Sequence, residues 1–301
     1  IPALLSVGKK HLYVWEKQEG ILHENEAAEI LYRISADIHM HGSDIKEGKI
    51  ELIADCDGVL KIRRDALLAV NSLGEMMIAS RHGDFPVKKG DKIAGTRIIP
   101  LVIEKSKMDK AEKVAGTKPI FSILPYRSKK VGIITTGSEV QKGLIKDTFT
   151  PVLKEKLDEF SCQILGQTLP GDERSQITSD ILSFIDQGAD MVICSGGMSV
   201  DPDDRTPGAI KDTGAEVVTY GAPVLPGAML LLSYYQNNDK IIPILGLPGC
   251  VMYARRTVFD LILPRIMADD RICADEIASY GEGGLCLNCD VCTFPNCGFG
   301  K

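Results

Sequence analysis

From Lys130 to Met267 short apolar runs alternate with longer stretches of helical character, and this alternation restricts the fold more tightly than any other feature of the chain. The runs Val131-Gly-Ile-Ile-Thr, Cys162–Thr168, Asp190–Cys194, Ala215–Tyr220, Met229–Leu232 and Lys240–Leu245 read as strands. Helices are expected between them: from Thr150, with Pro151 at the first position, to Phe160; from Ser175 to Ile185; from Thr206 to Lys211; and from Val251 to Met267, which Pro264 should kink or end. Apolar strands alternating with helices make a parallel sheet covered on both faces. The expected fold class is α/β: a three-layer, doubly wound, mostly parallel sheet.

In such a sheet the C-terminal strand ends share one edge, so the loops that follow them converge on one crevice. Here these loops are Thr136-Gly137-Ser138-Glu139, Pro170-Gly171-Asp172-Glu173, Ser195-Gly196-Gly197-Met198-Ser199 and Leu247-Pro248-Gly249-Cys250. A Gly-Gly pair after a strand is by itself an ordinary turn; four such junctions on one edge point to a site. Glycine allows close backbone approach, Thr136, Ser138, Ser195 and Ser199 offer hydroxyls, and helix N-termini present positive dipole ends, all of which suit a phosphate. Glu139, Asp172, Asp203 and Asp204 would repel that phosphate unless a cation lay between. Mg²⁺ is therefore expected, bound partly by carboxylate and partly by substrate oxygen. The same carboxylates also stand where helix caps stand.

Residues 1–128 follow another pattern. A helical turn at Ile1–Leu5, a strand at His11–Trp15 and an amphipathic helix from Asn25 to Met40 come first, and His39 and His41 read as a polar helix end. Short strands follow, beginning at Lys49, Gly58, Met76 and Thr96, with a hairpin-type connection over 87–95; a small barrel or sandwich is expected. A charged helical stretch, then Pro119, Pro125 and the basic residues Arg127, Lys129 and Lys130, read as a solvated linker. The expected organisation is a smaller β-rich α+β domain over 1–128, an α/β domain over 129–270 and a Cys-rich tail over 271–301.

Charge and hydropathy narrow the functional class. With 35 basic against 41 acidic residues and a formal charge of -6, the chain offers no footprint for nucleic acid. The longest apolar stretches, 228–235 and 241–253, are too short to span a bilayer, so no membrane is expected. The sequence begins at Ile1 instead of Met, and upstream sequence is expected to have been removed. Cys56, Cys162, Cys194, Cys250 and Cys273 lie in apolar contexts and read as small buried hydrophobes of a reducing, cytoplasmic compartment.

Thr135-Thr-Gly-Ser-Glu, the Pro170-Gly-Asp-Glu turn, Ser195-Gly-Gly-Met-Ser with Asp204-Arg-Thr-Pro, and Gly246-Leu-Pro-Gly resemble, in this order, the molybdopterin-binding domain of molybdenum cofactor biosynthesis proteins. The resemblance spans residues 129–268. It implies a crevice for the phosphate of the pterin dithiolene, lined by Thr136, Gly137, Ser138 and Glu139, by Ser195, Gly196, Gly197 and Ser199, and by Pro248 and Gly249. Members either adenylylate the pterin, with two aspartates that match Asp172 and Asp204, or insert molybdate into the adenylylated form; Asp172 and Asp204 are thus the implied catalytic and Mg²⁺-holding residues. The Gly-Gly-Met-Ser loop is more similar to the insertase than to the adenylyl transferase, while the first half departs from the insertase's accessory domains. Implied partners are a pterin or its nucleotide, a molybdoenzyme or another cofactor-biosynthesis protein, and further copies of the chain in a homo-oligomer. A related domain in competence-damage proteins has a similar Gly-Gly loop and paired aspartates, which leaves open a Mg²⁺-dependent pyrophosphatase acting on a dinucleotide.

Where the insertase has a barrel domain, this chain has Cys286, Cys289, Cys292 and Cys297 within twelve positions. Two-residue spacings of this kind suit structural Zn²⁺ or an iron–sulfur cluster. A non-catalytic metal or redox sensor built on these cysteines is a third reading.

Overall fold

The computed structural model describes residues 18–199 and 204–301. The expected turn at 1–5, the strand at 11–15 and Asp203 lie outside the described residues. The chain divides into two compact units. One comprises the described residues up to Cys56 with Ile62–Arg81 and Lys89–Ile123; the other comprises Asp57–Lys61, His82–Lys88 and Leu124–Lys301.

In the first unit the strands Met40–Gly42, Lys49–Ala54, Lys92–Ile98 and Met76–Ser80 pair in that order into an open antiparallel sheet, where strand spacing had led to the expectation of a barrel or sandwich. Phe85–Val87, which belongs to the second unit, pairs with Gly58–Ile62, so the expected hairpin over 87–95 does not form. The first helix is shorter than its period suggested. It runs Glu24–Ser35, with His23 as cap: its Nδ1 accepts the Asn25 amide (3.2 Å) and Glu26 accepts the His23 amide (3.0 Å). Ala28, Leu31 and Ile34 lie on its buried face. The helix Arg64–Asn71 was not anticipated from the sequence. His41 lies on a strand with Nδ1 2.6 Å from Asp55.

The second unit carries the expected doubly wound sheet. Its six strands stand in the order Gln163–Gly171, Lys130–Thr136, Met191–Ser195, Lys240–Leu247, Leu231–Asn237, Glu216–Tyr220. The first four are mutually parallel, and only Leu231–Asn237 runs against its neighbours. Period-2 geometry sends alternate side chains to opposite faces, and here both faces are buried and apolar. Val131, Ile133, Met191 and Ile193 face Leu153, Leu157 and the helix Val258–Met267. Ile134, Val192 and Cys194 face Ile177, Ile181 and Phe184 of the helix Arg174–Asp186, and Ala209 and Ile210 of the helix Thr206–Asp212.

Two glycines shape that second face. Gly132 and Gly166 are register partners on adjacent strands. A Cβ on Gly132 would lie 2.4 Å from Phe184 Cγ, and one on Gly166 3.4 Å from its Cε1, so the pair leaves a flat floor under the ring.

Several local expectations change. The helix expected to start at Thr150 runs Phe149–Asp158 and is capped by Asp147, whose Oδ1 accepts the amides of Phe149 (2.8 Å) and Thr150 (3.1 Å). The helix expected from Val251 splits into a 3₁₀ turn, Gly249–Met252, and the helix Val258–Met267, which runs on past Pro264. Thr257 and Asp260 form a capping box at that break, and Asp260 is further buried between Lys156 (2.5 Å) and Arg256 (2.8 Å). Lys129 is not a solvated linker residue: it is buried, with Nζ 2.5 Å from Asp269. Of the five scattered cysteines only Cys194 is fully buried, and Cys273 is exposed. Burial pushes the Cys194 thiol well above its ordinary range, which keeps it inert. Among the described residues no helix is long and apolar enough to cross a membrane.

Candidate functional site

Three of the four loops rise from adjacent parallel strands. Strand 130–136 stands between 163–171 and 191–195, so the loops carrying Asp172 and Gly196-Gly197 flank Thr136-Gly137, and strand 240–247 brings Pro248 and Gly249 next to them.

Threonine hydroxyls fasten the Gly-Gly loop. Thr136, buried, donates to the Ser195 carbonyl (3.3 Å) and lies 3.2 Å from Thr206 Oγ1, which itself donates to the Gly196 carbonyl (2.8 Å). Gly196 and Gly197 have φ of +83° and +53°. A Cβ on Gly196 would sit 2.5 Å from the Thr136 carbonyl oxygen, so glycine is required here on both conformational and steric grounds. Met198 is buried against Gly246, where a Cβ would meet its Cε at 2.5 Å. The glycine of Gly246-Leu-Pro-Gly thus accommodates a side chain of the neighbouring loop.

Ser138 and Asp172 join the two remaining loops. Asp172 Oδ2 accepts the Ser138 amide (2.9 Å) and the Ser138 hydroxyl, and Oδ1 accepts no hydrogen bond among the described residues. Asp172 and Glu139 are exposed, and Gly137 has φ of +125°. Ser195 contributes backbone, because its side chain is fully buried, with Oγ 3.5 Å from the Ile134 carbonyl and from Thr135 Oγ1. Ser199 is exposed, with its carbonyl accepting the Tyr220 hydroxyl (3.1 Å). Pro248 is buried, and Gly249 opens the 3₁₀ turn at the surface. Asp204 is partly buried and close enough to Tyr220 to act on it; burial first, and then the Asp204 charge, raise the Tyr220 phenol above its ordinary range.

Three contributors escaped the sequence reading. Tyr220 also donates to the Met198 carbonyl (3.1 Å) and so holds the loop from the far edge of the sheet. It ends a strand whose C-terminus lies on the same edge, a signal the edge rule could have used. Thr206 stands in the Asp204-Arg-Thr-Pro motif and at a helix start, and neither position signals its bond to the Gly196 carbonyl. Gln167 bonds both Thr135 (3.0 Å) and Asp147 (2.6 Å), tying the strand end to the following helix cap.

Among the described residues no three His, Cys, Asp or Glu side chains gather around a point that one ion could occupy, neither at the Asp172 edge nor at Cys286, Cys289, Cys292 and Cys297, which are free thiols. A Mg²⁺ ion does not need such a cage. It keeps several waters and binds through one or two carboxylates plus substrate phosphates. Asp172, with Oδ2 fixed and Oδ1 available, suits that role.

The chain is similar to known proteins over the same region. Residues 132–268 match the family model described as a probable molybdopterin binding domain. A molybdopterin molybdenumtransferase of Synechococcus elongatus is 25% identical over 193 residues, 62% of this chain and 44% of that protein. One from Haemophilus influenzae is 28% identical over 236 residues, 75% of this chain and 54% of that protein. A CinA-like protein of Mycolicibacterium gilvum is 37% identical over 79 residues, 26% of this chain and 19% of that protein. The chain therefore spans about half the length of the molybdenumtransferases it matches. With the four loops on one sheet edge, the match makes residues 132–268 a member of the probable molybdopterin binding domain family of molybdenum cofactor biosynthesis.

Proposed function

We propose that the chain binds molybdopterin, or its nucleotide-activated form, at the C-terminal edge of the sheet and acts in maturation or delivery of the molybdenum cofactor. The observation that carries this reading is the fastening of the Gly196-Gly197 loop by Thr136, Thr206 and Tyr220, which sets bare backbone beside the Ser138–Asp172 pair. Fixed backbone N–H groups bind phosphate without reorganising, so their attraction is not spent on ordering the loop. Asp172 and Asp204 would hold Mg²⁺, which when bound screens the carboxylates from the phosphate and polarises its oxygens. Ser138 orients the Asp172 carboxylate. Pro248 and Gly249 wall the pterin end.

Isothermal titration with molybdopterin and with adenylylated molybdopterin, with and without Mg²⁺, tests the reading. Binding is expected to need Mg²⁺ and to weaken in Asp172→Ala and Asp204→Ala; no binding, or binding unchanged in both variants, would refute it. Release of AMP on addition of molybdate would identify a molybdenum insertase, and binding without turnover a carrier. The similarity to a CinA-like protein favours one other reading, a Mg²⁺-dependent pyrophosphatase. Turnover of ADP-ribose in place of pterin binding would select it.

A further inference from the structure

The last residues of the chain are built into the second unit. The Leu225 amide donates to the Gly284 carbonyl and the Cys286 amide to the Leu225 carbonyl, both at 2.8 Å. Phe299 is buried, and Lys301 Nζ donates to the Pro295 carbonyl (2.6 Å). Glycines let the segment close on itself: a Cβ would come 2.1 Å from the Lys301 carbonyl oxygen at Gly283 and 2.3 Å from the Tyr280 carbonyl oxygen at Gly284. A loop fastened this way has already lost most of the conformational entropy that ligand binding would otherwise have to remove.

Cys286, Cys289, Cys292 and Cys297 all line one cleft of about 220 Å³. Cys289 and Cys292 are exposed, Cys286 and Cys297 half-buried. Leu285, Leu287, Phe294 and Phe299 supply apolar walls. Two arginines complete it. Arg256 lies over the Phe294 ring, 5.0 Å from its centroid, and Arg255 Nη1 donates to the carbonyls of Asp290 (2.6 Å) and Cys289 (3.4 Å).

We propose that this cleft binds an iron–sulfur cluster through the four cysteine thiolates. Size separates a cluster from a single ion. Zn–S bonds of about 2.3 Å would draw four sulfurs around one point, and no three of these thiols gather in that way. The cleft that all four cysteines line has the volume of about seven waters, at about 30 Å³ each, which is room for a polynuclear core. The spacing agrees at three of the four positions: Cys286, Cys289 and Cys292 repeat the two-residue intervals of cluster-binding segments, and Cys297 follows after four residues where that pattern has three. Charge agrees as well, since a thiolate-ligated cluster is anionic and Arg255 and Arg256 stand at its rim. Binding requires each thiol to give up its proton to solvent. When the core is assembled from ferric iron, two of the four irons take one electron each from the added thiol reductant, which is oxidised to disulfide, and the protein's own thiols stay at the thiolate level.

The test is anaerobic reconstitution of the full chain with ferric iron and sulfide under a thiol reductant, with folding followed by circular dichroism. Iron and sulfide analysis, visible absorption and electron paramagnetic resonance after dithionite reduction are the readouts. About four irons and four sulfides per chain are expected, falling roughly tenfold or more in the Cys289→Ser/Cys292→Ser double variant and unchanged in Asp172→Ala, which separates this site from pterin binding. One tightly held zinc per chain in place of iron, incorporation unaffected by the double variant, or folded wild-type protein that takes up no iron would each overturn the proposal.

Discussion

The pair Gly132–Phe184 offers the sharpest test of how the sheet and its covering helix fit. In Gly132→Ala the new methyl would lie 2.4, 2.7 and 2.8 Å from Phe184 Cγ, Cδ2 and Cβ. Cγ and Cβ are at the root of the side chain, so no rotation of the ring relieves them, and Phe184 is buried on the helix 174–186. Overpacking of this kind costs about 1–3 kcal/mol, and the crowding here belongs near the upper end. Alanine in a strand returns about 0.5–1 kcal/mol relative to glycine. The expected loss is about 2 kcal/mol, or about 4–8 °C in Tm for a unit of this size. Phe184→Leu removes the ring and is itself expected to cost about 1–2 kcal/mol through the space it leaves. Because the two changes relieve each other, the double variant should be more stable than their sum by about 1–2 kcal/mol. Gly166→Ala is the internal control: its methyl would meet the same ring at 3.4 Å, an ordinary contact, and stability should stay within about 0.5 kcal/mol of the wild type. Urea titrations of the four variants give these quantities directly. Additive losses, or equal losses at Gly132 and Gly166, would refute the packing described.

Other parts of the structure yield further expectations. Asp260→Ala leaves Lys156 without its buried partner and removes the capping box at Thr257, so a loss of about 3–5 kcal/mol is expected in urea unfolding. Gly196→Val places a branched side chain at φ +83° against the Thr136 carbonyl; pterin affinity should fall at least about tenfold in titration, while Gly188→Ala, outside the loops and with open space around its Cβ position, leaves affinity intact. Burial alone would raise the Asp147 carboxyl, but hydrogen bonds from Thr150, Gln167 and the Phe149 amide outweigh it and hold the group below its ordinary range. A lowered folded-state value stabilises the protein above the unfolded value, about pH 4, and that contribution is lost as pH falls through the folded value. The urea midpoint should therefore drop less steeply below about pH 4 in Asp147→Asn than in the wild type.

The α/β sheet was legible because its strands are apolar on both faces: Val131, Ile133, Met191 and Ile193 on one and Ile134, Val192 and Cys194 on the other could be satisfied only by cover on each side, and intervening helices supply it. The crevice was legible for the related reason that parallel strands put all following loops on one edge. Local pattern decided less before residue 124. Short strands such as Phe85–Val87 and Lys92–Ile98 carry no mark of their partners, so adjacency in sequence suggested a hairpin although the two pair elsewhere.

The sequence by itself determined the strand and helix alternation, the edge on which the site lies, and the residue types offered there, since these follow from periodicity and from the direction of the chain. Only the tertiary structure decided what each residue does. Glycine's two uses, admitting a ligand and admitting a neighbour, look the same in sequence. Packing separated them: Gly246 makes room for Met198, Gly132 for Phe184, and Gly196 for the Thr136 carbonyl. Packing likewise turned the Ser195 hydroxyl inward and brought Tyr220 to the Gly-Gly loop from 22 residues away. Such contacts depend on distances between segments remote in sequence, which neither spacing nor composition encodes.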